Sequence, residues 1–444
     1  MSAIASAQPG AADPPSSATG QAPSAQQAQP KRSGARLAWL DALRGFAALC
    51  VVFDHASYHV LEPARLLVYR WIDPGQYGVF VFFLVSGYII PASLERKGSV
   101  RSFWISRAFR LYPLYLIALA LSLVGLAHGW WQINGVRQYP LVAAASWLVM
   151  MPDVLSAPNT PIVVWTLSFE MAFYLIVAAL FSWRAHKPSG GYALAFATGA
   201  VALGGILPMW WLYRAAGGRP GTPGSGHAWI LDVTADALIV GGVAVAVVAS
   251  RRAGSSPMLA RIGASVAALT ALILVNVNAQ YPYPWSGCTI LALMFTGTLI
   301  YRAEQGQVRK VKALVISLAV LALTLAAGLW HGESYGSQWQ VEWVMSLVGA
   351  AVTFAIGMAV RHRKIPAPLA WLGLVSYSVY LLHPLIVDTY VHLSERLRGA
   401  SMGVQVVIAL GLLGAVLLVS AISYYGVEKP MQKAGRWIAT RTSG

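Results

Sequence analysis

LAWLDALRGFAALCVVFDHASYH, residues 37–59, is long and apolar enough to enter a bilayer, yet it carries Arg44 and His55. The two lie eleven positions apart. At about 100° per residue that is almost three whole helical turns, so both side chains leave the helix in one direction, roughly 16 Å apart along its axis. Asp41 and His59 share their face, which spans about 60°, while Asp54 points elsewhere. An ionised side chain at the centre of a membrane helix costs on the order of 2.5–3.5 kcal/mol on insertion scales. Such a pair is retained only where it meets other protein or water. The segment therefore reads as a membrane helix contributing one wall of a polar site within a helical bundle. On this helix alone the plainer reading stays open: a buried Arg held by Asp41, beside a His merely hydrogen-bonded in the bundle.

The remainder of the chain belongs in the same solvent. Of 444 residues, 57% are hydrophobic and 11% charged, with a mean hydropathy of +0.59; a soluble domain carries about 25% charge. Further apolar segments fall at 76–93, 112–130, 162–182, 191–212, 229–249, 258–277, 286–302, 311–330, 341–360, 371–391 and 403–427, which makes twelve of spanning length. A shorter run at 141–151 reads as interfacial or re-entrant. The expected fold is all-α, a polytopic integral membrane helical bundle of 10–12 transmembrane helices. Residues 1–36, rich in Ala, Ser, Pro and Gln, read as a disordered cytoplasmic tail too polar for a cleavable signal peptide. Residues 37–430 form the membrane domain, and 431–444 a short basic tail.

The net charge of +16 would suggest nucleic acid in a soluble protein. Here the positive-inside rule accounts for it, and no nucleic-acid partner is expected. The basic clusters are Arg96–Arg110, Arg184 and Lys187, Arg251–Arg261, Arg302–Lys312, Arg361–Lys364 and the Lys429–Arg441 tail. All fall on one side if twelve helices start from a cytoplasmic N-terminus, so both termini are expected inside. Arg65, Arg70, Arg214, Arg219, Arg396 and Arg398 are the exceptions. Cys50 and Cys288 make neither a disulfide framework nor a metal-ligand spacing. No metal site is expected. There is no Walker loop, dinucleotide fingerprint or internal repeat.

Polar residues inside the other segments are the remaining functional candidates. Ser86-Gly87 in YGVFVFFLVSGYII suits close helix packing. Arg107 and Arg110 lie three apart just before Pro113, which starts or bends the next helix; two guanidiniums at a membrane surface suit phosphate, and equally lipid head groups or topology. Glu170 in WTLSFEMAFYLI needs a basic partner or a proton. In GLVSYSVYLLHPL, His383 precedes Pro384, with Ser376 and Tyr380 on its flank. Glu428 beside Lys429 reads as a surface ion pair, and Asp232, Asp236 and Asp388 receive no role.

Taken in order, LDALRGFAALCVVFDHA, FFLVSGYIIP, RAFRLYPLY, WTLSFEMAFYLI, SYSVYLLHP and YYGVEKP resemble the acyltransferase-3 family of integral-membrane acyltransferases, over most of residues 37–430. That family includes enzymes that O-acetylate lipopolysaccharide O-antigen and other bacterial polysaccharides. Each fragment alone is weak; six in sequence are specific. The resemblance implies that Arg44 and His55 match the family's Arg-x10-His pattern, with His55 catalytic, and that Phe82, Phe83, Ser86 and Gly87 match FFxxSG. Arg107 and Arg110 match its Arg-xx-Arg element, implicated in donor binding or helix architecture. Trp165, Leu167, Ser168 and Glu170 match WSLSxE, with Thr166 in place of Ser and Met171-Ala172 in place of a more polar pair. The resemblance implies about ten helices, so the count of twelve is a departure that falls in residues 191–360, where no family motif lies.

The resemblance implies transfer of an acyl group, acetyl first, from acyl-CoA to a hydroxyl of a cell-surface glycan or lipid-linked sugar. The setting is a bacterial-type inner membrane, with acyl-CoA as donor substrate and no permanently bound cofactor. His55 acts as general base or through an acyl-imidazole, and both routes stay open. Arg44 and Glu170 complete the catalytic set, Glu170 by orienting or charge-compensating a basic partner such as His55. Arg107, Arg110 and Ser86 make up the donor-binding set. The rival class is a transporter or flippase in which His55, Glu170 and His383 relay protons; Pro113 and Pro384 suit broken helices, but no inverted repeat accompanies them.

Overall fold

A chain immersed in lipid must satisfy its backbone polar groups within each crossing segment, and this sequence does so with helices. The computed structural model describes residues 33–129, 140–155, 157–206, 228–251, 257–277, 285–393 and 401–441. Its helices are Ser33–Ser57 (α1), Glu62–Tyr69 (α2), Pro74–Lys97 (α3), Val100–Ala127 (α4), Pro140–Leu148 (α5), Trp165–Ser182 (α6), Ser189–Ile206 (α7), Ala228–Arg251 (α8), Pro257–Val277 (α9), Ser286–Glu304 (α10), Lys310–His331 (α11), Ser337–Val360 (α12), Ala367–Leu393 (α13), Met402–Ser423 (α14) and Lys429–Arg441 (α15). Each of the twelve apolar segments is represented among them. Among the described residues, nine helices are long and apolar enough to cross a bilayer, and no strand occurs. The chain is a multi-pass membrane protein. Residues 1–32 of the expected tail, the 278–284 loop, and Arg214, Arg219, Arg396 and Arg398 lie outside the described residues.

Two segments differ from their sequence reading, and a third gains a partner. Arg107 and Arg110 were expected in a loop, yet α4 runs unbroken from Val100 through Pro113 to Ala127, its start capped by Ser99 Oγ accepting from Ser102 N at 3.3 Å. In lipid, ending a helix orphans several backbone groups, whereas an internal Pro forfeits one hydrogen bond. The 141–151 run packs against α4. Tyr112 and Tyr115, in the middle of α4, donate from their hydroxyls to the carbonyls of Leu148 and Trp147 at 2.8 Å, which draws the end of α5 down to that depth. Finally, α14, a π-helical turn at Tyr424–Glu428 and α15 form one 40-residue run. At about 1.5 Å per residue this is twice the roughly 30 Å hydrocarbon thickness, so α15 leaves the core and lies along α4, with Gly435 against Phe109.

Close helix crossings set the spacing of the bundle. A Cβ on Gly87 would lie 2.6 Å from Met294 Cα, and one on Gly297 2.8 Å from Tyr88 N, so α3 and α10 pack backbone to backbone. Gly45 and Gly373 bring α1 and α13 equally close, Gly45 lying where a Cβ would be 2.8 Å from Gly373 N.

At the end where α1 begins, Arg302 of α10 ties together three hairpins. It pairs with Glu95 at the end of α3 and donates to His186 O between α6 and α7 and to Gln307 Oε1, both at 2.8 Å. Arg361 pairs with Glu304 at 3.2 Å at the same end. Arg302 is 2% exposed, so Arg302→Ala strands a carboxylate and two acceptors. The expected loss is about 3 kcal/mol of stability, read as a lower unfolding midpoint in detergent; an unchanged midpoint would count against this tie.

Candidate active site

On the polar face predicted for α1, Arg44 and His55 meet other protein, while His59 lies past the end of the helix and is exposed. Arg44 is half-buried, its guanidinium carbon 6.0 Å from the centre of the Phe82 ring, and it lines a cavity of about 20 Å³ with Phe82, Thr166, Ser376, Tyr377 and Tyr380. His55 lines a second cavity of about 80 Å³ with Asp54, Asp73, Gln76, Trp165 and Tyr380. Val51, Val79 and Tyr380 wall both cavities, so they follow one another along α1. Tyr380 holds the junction. It stacks on Phe82 with ring centres 6.1 Å apart, hydrogen-bonds Thr166 Oγ1 at 2.8 Å, and sets its ring edge toward His383. The Thr that replaces the family's Ser therefore keeps its hydroxyl in use.

His55 has one side-chain partner of its own kind. Its Nδ1 lies 2.7 Å from His383 Nε2, with the two rings edge to edge and their planes 22° apart, while His383 Nδ1 lies 3.0 Å from Val379 O. A carbonyl can only accept, so His383 carries its proton on Nδ1. With His383 0% exposed, a neutral ring is the form a buried apolar setting favours. Its Nε2 is then an acceptor, and His55 must donate from Nδ1. This tautomer assignment, made from the hydrogen-bond pattern, leaves the His55 Nε2 lone pair unused and the ring fixed in orientation. Sequence reading singled out His383 without finding this partner, 328 residues away.

Toward the basic end, a second group of polar residues gathers. Arg44 has Arg110, Asp41, Glu170 and Tyr174 as electrostatic neighbours. Arg107, 7% exposed, lies over the rings of Phe103 and Tyr174 at 5.3 and 5.2 Å, and Tyr174 donates its hydroxyl to Glu170. Glu170 thus sits in the arginine cluster with Arg44 as its basic neighbour, while the side-chain hydrogen bond of His55 goes to His383.

Glu428 is also corrected. It is 2% exposed and accepts from Ser378 Oγ, while Lys429 lies over the Tyr425 ring at 5.1 Å, so no surface ion pair forms between them. The π-helical turn accounts for this: one extra residue per turn swings Glu428 inward. Ser86 is buried beside the Gly87 crossing and is not among the residues lining either cavity, which matches its packing alternative.

A family profile described as an acyltransferase domain matches residues 37–425. The chain belongs to the acyltransferase-3 family. Nodulation protein 10 of Rhizobium leguminosarum bv. viciae is 32% identical over 176 residues, covering 35% of this acyltransferase-3 chain and 48% of the relative. Acyltransferase MdmB of Streptomyces mycarofaciens is 33% identical over 149 residues, or 32% and 38% of the two chains. YrhL of Bacillus subtilis (strain 168), whose name provisionally assigns it peptidoglycan O-acetylation, is 23% identical over 412 residues, 89% of this chain and 55% of its own. The chain spans about half or less of the length of most curated relatives it matches. No solved structure matches it.

Proposed function

We propose that this acyltransferase-3 chain is a membrane-embedded O-acyltransferase. It moves an acyl group, acetyl first, from cytoplasmic acyl-CoA to a hydroxyl of a glycan or lipid-linked sugar at the opposite face of a bacterial inner membrane. The observation that carries this reading is the hydrogen bond between His55 Nδ1 and His383 Nε2, made by a residue that also lines a cavity; the tautomer assigned above leaves His55 Nε2 to act as the base. His55 Nε2 takes the proton of the acceptor hydroxyl as its oxygen attacks the thioester carbonyl. The C–O bond forms, the C–S bond breaks, and the imidazolium returns the proton to the departing CoA thiolate. Throughout, His383 Nε2 accepts from His55 Nδ1 and stabilises the transient positive charge.

The same geometry weighs against a proton-relay transporter. The chain of hydrogen bonds from His55 ends at Val379 O, a carbonyl with no proton to pass on, and Glu170 stands outside it.

The concentration of Lys and Arg at the end where α1 starts supports a cytoplasmic N-terminus and C-terminus. On that side Lys97 has Arg96, Arg107 and Arg436 as electrostatic neighbours, a surface suited to the phosphates of CoA. Arg107→Ala and Arg110→Ala are each expected to raise KM for the donor by about 10-fold or more, the loss of one charge-assisted hydrogen bond, with little change in KM for the acceptor. Equal changes in both constants would remove the donor role.

The direct test gives the purified full chain, in proteoliposomes, labelled acetyl-CoA and an oligosaccharide or lipid-linked glycan. An alkali-labile ester on the acceptor is the expected product. Neither ester formation nor donor consumption, across glycan acceptors of several classes, would overturn the reading.

A further inference from the structure

The cavity at His55 contains chemistry that the transfer step itself does not use. Two carboxylates, Asp54 from the end of α1 and Asp73 before α3, line it together with Gln76 and Trp165. The acids are close neighbours: a Cβ on Gly75 would lie 2.9 Å from Asp54 Cγ and 3.3 Å from Asp73 Oδ1. Each is held in place. Tyr69 donates its hydroxyl to Asp54 Oδ1, and Asp73 Oδ1 caps α3 by accepting from Gln76 N at 2.9 Å. Their charge is only partly offset. Arg65 on α2 is within electrostatic reach of both, but its guanidinium lies 4.2 Å over the Tyr69 ring. On the other flank Glu342 of α12 adds a further negative neighbour to Asp73.

Hydrogen-bond acceptors of this kind recognise O–H and N–H donors, and the face of Trp165 suits the C–H face of a sugar ring. A cavity of about 80 Å³ holds the hydroxyl edge of one ring, not a disaccharide. We propose that Asp54 and Asp73 form the acceptor subsite and select a neutral or amine-bearing polyhydroxyl acceptor, excluding one with a carboxylate or phosphate beside the hydroxyl to be acylated. This rests on the acyltransferase reading above and narrows its acceptor class. Repulsion between like charges is the device, so specificity lies in what the site rejects.

Burial and the adjacent Asp54 carboxylate push Asp73 up to about 6. It is therefore ionised at pH 7.5 and largely protonated at pH 5. Selection against anionic acceptors should weaken over that interval, with Asp54, Arg65, Tyr69 and Glu342 as the other titratable groups facing it.

The test uses the full chain in proteoliposomes with labelled acetyl-CoA and three matched oligosaccharides, ending in a neutral hexosyl, a glucosaminyl or a glucuronosyl residue. Ratios of kcat/KM between acceptors cancel any effect of pH on His55. Neutral and amine-bearing acceptors are expected to exceed the uronosyl one by about 10-fold or more. That ratio should narrow in Asp73→Asn, a substitution that keeps the helix cap, and in wild type at pH 5. A uronosyl acceptor used as well as the neutral one, or a ratio unmoved by Asp73→Asn, would overturn the selection alone. Transfer to none of the three, with no donor consumed, would instead count against the acyltransferase reading and take the inference with it.

Discussion

His55→Ala is expected to lower kcat/KM for acyl transfer by on the order of 10²–10⁴-fold, the usual worth of a general base, while the chain remains folded in the membrane. The half-buried ring makes no ion pair among the described residues, so its loss removes chemistry more than scaffold. His383 acts through His55, and its replacement separates positioning from packing. His383→Ala deletes the acceptor for His55 Nδ1–H and frees the ring to rotate or change tautomer; a drop in kcat on the order of 10–10²-fold follows, with KM for either substrate little altered. His383→Gln sets an amide oxygen at about the reach of the lost Nε2 and is expected to recover a large part of that drop. A residue that only filled space would be replaced equally well by His383→Leu, which restores the volume without an acceptor; no such recovery is expected from Leu. Activity of His55→Ala within about threefold of wild type would remove His55 from the reaction. A Gln variant no better than Ala would remove the positioning role of His383.

What the sequence disclosed follows from how helices encode themselves. Hydropathy marks the segments, and the 100° step says which residues share a face, so Arg44 and His55 were legible as a pair before any partner was known. The step does not say who stands across that face. His383 and Glu170 were both candidate partners for His55, and only the approach of α13 at Gly45 and Gly373 decides for His383. Asp54 lies off the face that holds Arg44 and His55; near the end of α1 the neighbours are α2 and the Asp73 cap, and the cavity wraps around to include it. Glu428 was misread for a different reason. A π-helical turn shifts the register by one residue, and a side chain expected at the surface then faces Ser378. The Arg107–Arg110 segment shows the same limit from the other side: Pro113 marks a breaking point in water, whereas in lipid the surrounding hydrogen bonds keep the helix whole.

The spacing that decides the partner of His55 can be tested where it is set. Gly373→Ala adds one methyl group, whose Cβ would overlap the Asp41 carbonyl and lie 2.5 Å from Asp41 Cα. Both are backbone atoms of α1, so no side chain can swing aside and the helices must part by more than about 1 Å to reach ordinary contact. His55 and His383 each lie ten residues beyond the crossing pair, Gly45 and Gly373, about 15 Å along helices that run in the same direction. A nitrogen pair now 2.7 Å apart would open beyond hydrogen-bond range, and a misplacement of about 1 Å in a catalytic group costs on the order of 10²-fold in rate. Overpacking would also lower stability by about 1–3 kcal/mol. Gly414→Ala is the matched control: it lies on α14 with open space around it, so activity within about twofold of wild type is expected. Measured side by side in proteoliposomes, a Gly373→Ala enzyme as active as the Gly414→Ala one would show that the α1–α13 crossing does not hold the two imidazoles in register.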